Sequence, residues 1–141
     1  MGIIVCATDF SKESTAVVAT AVAFSKPFEV PLQLFHLFDV PPAYSPDVLD
    51  EETIAELRRN AERAMARQAD TLRSAGVVVQ TAVEYGAPHD IAQHARSVDA
   101  SLLVVGTHGR KGAARFVLGS VAEQTIRKTP CPIVVVPSHI P

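Results

Sequence analysis

Residues 101–121 read SLLVVGTHGRKGAARFVLGSV, and a strand, a glycine-rich loop and the start of a helix follow one another in them. Residues 101–105 form an apolar run with no polar alternation, the pattern of a parallel strand covered on both faces. Residues 121–128 have helical spacing, so the glycines at 106, 109, 112 and 119 lie in the strand-to-helix connection. Such a loop can cradle phosphate because glycine reaches positive φ and puts no Cβ between the backbone N–H groups and an anion. Gly119 and Ser120 stand where the helix begins, which turns its unpaired N–H groups and the positive end of its dipole toward the same anion. Ser120 with Glu123 three residues on also fits a capping box, so this serine reads both as a helix cap and as a phosphate contact.

Working outward, the run Ile133-Val134-Val135-Val136 after Pro130-Cys131-Pro132 closes the chain as a last strand. Upstream, residues 3–7 form a first strand without polar alternation. A helix capped by Ser11 follows to about Ser25, with Val17, Val18, Ala21 and Val22 at helical spacing. Lys26-Pro27-Phe28 reads as a turn, and residues 32–38 as the second strand. Pro46-Asp47 lead toward a long second helix ending near Ala75, where Gly76 stops it. Its inner face carries Ile54, Leu57, Ala61, Met65 and Leu72, and its outer face is of mixed charge. Residues 77–84 alternate only in part, which fits a strand toward the sheet edge, and residues 90–96 make a short third helix after Gly86-Ala87-Pro88.

The order βαβαβαβαβ with right-handed crossovers gives an α/β fold, a single doubly wound parallel sheet of five strands with helices on both faces. Ligands bind such sheets beyond the carboxyl ends of central strands, which makes Asp9, directly after the first strand, a site candidate. As a turn residue the same aspartate has an ordinary structural role. With 141 residues, 48% of them hydrophobic, the chain makes one domain over 1–141 with a sizeable core. A net charge of −2 gives no reason to expect nucleic acid or an anionic membrane as partner. No apolar run approaches the ~18 residues of a membrane span, and a soluble cytoplasmic protein is the expectation. Cys6 and Cys131 lie in or beside apolar strands and read as inert thiols. His36 reads as a satisfied core histidine, and His89 and His94, five apart, do not share a helix face as a metal pair would.

Gly106-x-x-Gly109, nine residues, then Gly119-Ser120 resembles the nucleotide-binding signature of the universal stress protein family, in its ATP-binding branch. Thr8-Asp9-Phe10-Ser11, His36-Leu37-Phe38-Asp39, Gly86-Ala87-Pro88 and the closing Pro130-Cys131-Pro132-Ile133-Val134-Val135-Val136 carry the likeness over nearly the whole chain. The resemblance implies strand order 3-2-1-4-5, a Rossmann-like fold of the adenine nucleotide α-hydrolase type. It implies a nucleotide pocket of Ala7, Thr8, Asp9, Leu37, Gly106, Thr107, His108, Gly109, Arg110, Gly119, Ser120 and Val121. The Leu37 backbone would meet adenine, ATP would be the ligand, and Mg2+ would bridge its phosphates. A homodimer paired along Ile133–Val136 is implied as well; client proteins are not. Ala7 departs from the proline that many nucleotide-binding members have before Thr-Asp.

Other doubly wound readings lack their residues. A response regulator needs clustered acids where Asp9 stands alone; a flavodoxin needs a phosphate loop where residues 8–15 have no glycine; a P-loop NTPase needs Gly-Lys-Ser or Gly-Lys-Thr, and Lys111-Gly112 is the reverse order. Arg110, Lys111 and Arg115 can screen phosphate charge, or stand simply solvated. No nucleophile, base or metal cluster is legible around the loop, so the sequence reads as an ATP-binding module rather than an enzyme. A dimeric interaction module with a weak nucleotide site and a slow ATPase or phosphotransferase are the alternatives.

Overall fold

The computed structural model describes residues 2–38, 50–87, 90–107 and 118–137. In chain order these form β1 (Ile3–Ala7), α1 (Ser14–Phe28), β2 (Leu32–Phe38), α2 (Glu51–Ser74), β3 (Val79–Tyr85), α3 (Asp90–Ser97), β4 (Ala100–Gly106), α4 (Ser120–Lys128) and β5 (Ile133–Val136). The strands make one parallel sheet in the order β3-β2-β1-β4-β5, as the sequence reading expects.

Alternation along the central strands sorts the core into two layers. Ile4, Cys6, Leu32, Leu34 and Val104 pack against Val17, Val18 and Ala21 of α1 and Met65 and Ala69 of α2. Val5, Phe35, Leu103 and Val105 face the other way, onto Ile91 and Ala95 of α3. Phe35, Leu32, Leu34, Met65 and Leu103 are fully buried, each contributing about 1.5–3 kcal/mol of apolar transfer energy. The winding follows from right-handed crossovers. Chain growth from β1 through β3 lays α1 and α2 on one face, and the jump from β3 back past β1 to β4 lays α3 on the opposite face. The direction of growth therefore reverses between β1 and β4, and the switch point beyond their carboxyl ends is where sheets of this kind form a crevice.

The boundaries of α1 depart from the sequence reading at both ends. α1 runs through Pro27 to Phe28, so Lys26-Pro27-Phe28 is the last helical turn. Pro27 lacks the N–H that would bond the Ala23 carbonyl, and the helix stops one residue later, where Glu29 at φ 53 and the bonds Glu29 N–H to Lys26 O and Val30 N–H to Ser25 O end it. The same helix starts at Ser14, not at a Ser11 cap, although the Ser11 hydroxyl still accepts the Ser14 N–H at 3.3 Å. α2 is capped by Asp50, whose Oδ1 accepts the Thr53 N–H at 2.7 Å; Pro46 and Asp47 lie outside the described residues. Cys6 and Cys131 belong to opposite layers of the core and cannot pair. Burial pushes the Cys6 thiol up to about 12, which makes it inert.

Candidate functional site

Three segments meet at the crevice, and each is shaped by where its strand stops. β1 ends at Ala7, and the next residue, Thr8, is buried with its polar groups occupied. Its N–H donates to the Phe35 carbonyl at 2.9 Å, its carbonyl accepts from His36 Nδ1 at 2.7 Å, and its hydroxyl accepts the Phe10 N–H at 3.2 Å. His36 is therefore a satisfied, half-buried histidine that ties β2 to this turn. Asp9 follows, half-buried, with Oδ1 accepting the Ser11 N–H at 2.9 Å and the Ser11 hydroxyl. The aspartate thus does hold the turn, the structural role its type permits. Phe10 sits at φ 63, a left-handed conformation that costs a bulky residue about 1–2 kcal/mol, with its ring 4.4 Å from the His36 ring. Strain of this kind concentrates at functional sites, and the sequence marks Phe10 only as a member of the Thr8-Asp9-Phe10-Ser11 motif, with no sign of its backbone conformation.

Leu37 supplies the second segment. Odd residues of β2 turn their backbone polar groups toward β1, as the Thr8-to-Phe35 bond shows. The paired register of β1 and β2 stops at Ala7↔Phe35. Leu37 lies beyond that stop, so its N–H and C=O point into the crevice with no ladder partner among the described residues.

The third segment runs from β4 to α4. Thr107 N–H donates to Val136 O at 2.9 Å, and Thr107 O accepts the Gly119 N–H at 2.8 Å. This corrects one expectation: the Gly119 amide is occupied and does not face an anion. A second correction concerns the cap. Gly119 is the N-cap and Ser120 the first helical residue, so the Ser120–Glu123 capping box does not form, and the Glu123 carboxylate bonds Arg127 at 2.7 Å instead. With no cap side chain, the N–H groups of Ser120, Val121 and Ala122 have no partner among the described residues. Gly119 itself has φ −64 and ψ 155, ordinary extended backbone open to any residue. His108, Gly109, Arg110, Lys111 and Arg115 lie outside the described residues.

Sequence reasoning set His94 aside as half of a metal pair and did not foresee its buried polar contacts. His94 of α3 stacks on Phe35 at 3.8 Å between ring centres, with Nε2 2.6 Å from Gln33 Oε1 and Nδ1 3.5 Å from Glu84 Oε1. Burial holds its pKa below the ordinary value, opposed by the Glu84 charge. The partners come from β2 and β3, far away in sequence, so no local pattern announces them. Among the described residues no cluster of three His, Cys, Asp or Glu could hold a metal ion. No described helix is long and apolar enough to cross a membrane.

A doubly wound parallel sheet, with a strained turn and an uncapped helix start at the carboxyl ends of its central strands, defines a protein of the Rossmann-like α/β class. Residues 1–137 match the universal stress protein family, and the chain belongs to it. It is 32% identical over 136 residues to a universal stress protein of Methanocaldococcus jannaschii, covering 94% of this chain and 80% of that one. Among solved structures, a hypothetical protein studied as a structural-genomics test case superposes with TM-score 0.84 at 26% identity, covering 96% of this chain and 94% of that one. A universal stress protein in complex with cAMP superposes with TM-score 0.65 at 25% identity, covering 98% of both chains. The Archaeoglobus fulgidus universal stress protein in complex with dAMP gives TM-score 0.65 at 25% identity, covering 96% of this chain and 97% of that one.

Proposed function

We propose that the crevice binds ATP and that the protein works as a nucleotide-dependent regulatory module of the stress response. The observation that carries the reading is the start of α4, where a glycine N-cap leaves the amides of Ser120, Val121 and Ala122 open beside the switch point. Phosphate oxygens would take those amides and the positive end of the helix dipole. Adenine would lie on the Leu37 backbone, whose N–H and C=O match the acceptor and donor of its edge. Ala7, Thr8 and Asp9 wall the pocket from the β1 side, and Gly106 and Thr107 from the β4 side. His108, Gly109 and Arg110 complete it by resemblance. The complexes of two relatives with cAMP and dAMP support an adenine nucleotide as ligand. With no acidic cluster among the described residues, a bound Mg2+ would be held chiefly by the phosphates it bridges.

Two copies of the chain would pair antiparallel along Ile133–Val136, a β-branched, uncharged edge strand. Val135→Lys should then give a folded monomer in sedimentation, and a dimer that ignores the change would refute the pairing. The nucleotide reading is tested by calorimetric titration of ATP and GTP with magnesium, alongside phosphate release. ATP should bind more tightly, because guanine presents the reverse donor and acceptor order to Leu37 at a cost of about 1–3 kcal/mol. Equal affinities, or turnover near the ~10 per second of an ordinary enzyme, would overturn it.

A further inference from the structure

We infer that Arg58 and Arg73 close the β3 edge of the sheet to strand addition, so that a second copy of this chain or an extended peptide can add only at β5. The inference goes beyond nucleotide binding and does not depend on it. β3 is an edge strand, with β2 as its neighbour. Its even-numbered residues are spent on β2: Leu32 N–H donates to Val78 O, Gly86 N–H donates to Phe38 O, and the register between them runs without a break. Val79, Thr81, Val83 and Tyr85 therefore turn their N–H and C=O groups outward, the row that an incoming strand reads.

Two of those outward carbonyls are already taken. Arg58 Nη1 donates to Val83 O at 2.8 Å and Arg73 Nη2 to Val79 O at 2.8 Å, both reaching across from α2. Each guanidinium is held at its other side. Arg58 lies 5.3 Å from the centre of the Phe38 ring, and Arg73 Nη1 lies 3.5 Å from Asp70 Oδ1. The two bonds flank Thr81, so a strand laid along β3 would lose its acceptors on both sides of that residue. It would also have to displace charge-assisted bonds and place charge in the new ladder. The β5 edge differs. Leu103 N–H donates to Pro132 O and Thr107 N–H to Val136 O, which turns Ile133 and Val135 outward. No arginine reaches their carbonyls among the described residues.

The test compares R58A/R73A with R59A/R63A, which removes the same charge from α2 at arginines with no bond to β3 among the described residues. Sedimentation velocity and amide hydrogen exchange are measured across a concentration series. The R58A/R73A protein should gain an association step, raising its weight-average mass at least about twofold over wild type. The outward amides of Thr81 and Val83 should become protected as it forms. R58M/R73M, which keeps the apolar stem over Phe38 but not the guanidinium, should do the same, and adding V135K should leave that step in place. R59A/R63A should sediment like wild type. The inference is overturned if both Arg58/Arg73 pairs sediment like wild type, if R59A/R63A associates equally, or if V135K abolishes the new step.

Discussion

α2 and α4 begin in opposite ways on nearly the same backbone. Asp50 has φ −91 and ψ 166, Gly119 φ −64 and ψ 155, and both are extended N-caps. Asp50 fills its helix start from within: its carboxylate takes the Thr53 N–H, and Glu51 and Glu52 answer the dipole in the first turn. Gly119 has nothing to offer, and Glu123 turns away to Arg127. One helix start is closed by its own chain and the other is left for a foreign oxygen. The closed one opens the connection into β3, while the open one lies at the switch point. What separates a capped helix start from an uncapped one here is a single side chain.

The comparison breaks most visibly if the open start is closed. Gly119→Asp should do to α4 what Asp50 does to α2, supplying its own oxygen and a negative charge. ATP affinity should fall by more than about 100-fold, near 2.7 kcal/mol, while the melting temperature holds or rises. Calorimetry and a thermal melt decide it, and unchanged ATP affinity would remove the basis of the site. Gly119→Val should also lose ATP, by at least about tenfold. The loss is steric, since the backbone at Gly119 is ordinary, and circular dichroism should show a folded protein.

The reverse operation sharpens the contrast. Asp50→Ala should lower the melting temperature and leave ATP affinity untouched. Hydrogen bonds from the Thr53 side chain and backbone hold the Asp50 carboxyl below its ordinary 3.8. Its contribution is therefore complete above pH 3.8 and is lost as pH falls through that value toward the lower folded one. Acid unfolding of Asp50→Asn, which still caps but does not titrate, should lack that component. The smallest effect belongs to Ser120→Ala. Because Ser120 is not the cap, stability should stay within about 0.5 kcal/mol, and ATP affinity should drop by a few-fold at most. A large loss of stability would return the capping role to Ser120.

The apolar runs of β1, β4 and β5 and the glycine-flanked connection were legible because each is a local pattern with one physical reading. Gly76, read as the stop of α2, sits at φ 85 one residue past its C-cap. Ser120 was misread because a capping box is written in two residues and decided by a third: Gly119 had already taken the N-cap position. Pro27 was misread because a proline next to a helix end forfeits a single i→i−4 bond, here to Ala23, and the helix can still include it before it stops. His94 with Gln33 and Glu84, and the arginines of α2 on the β3 carbonyls, were not legible at all. Those partners are chosen by topology, which brings together residues that no local pattern links.

Thr107 joins Val136 through its N–H and Gly119 through its carbonyl, so the chain leaves β4 and re-enters α4 at one fixed point. Between two ends held in this way, added chain length is thermodynamically cheap: doubling a connection costs about 0.6 kcal/mol of closure entropy. Residues added between the two held ends should therefore leave the five-stranded sheet standing, so this junction is where the fold can accept a grafted sequence at the least thermodynamic cost.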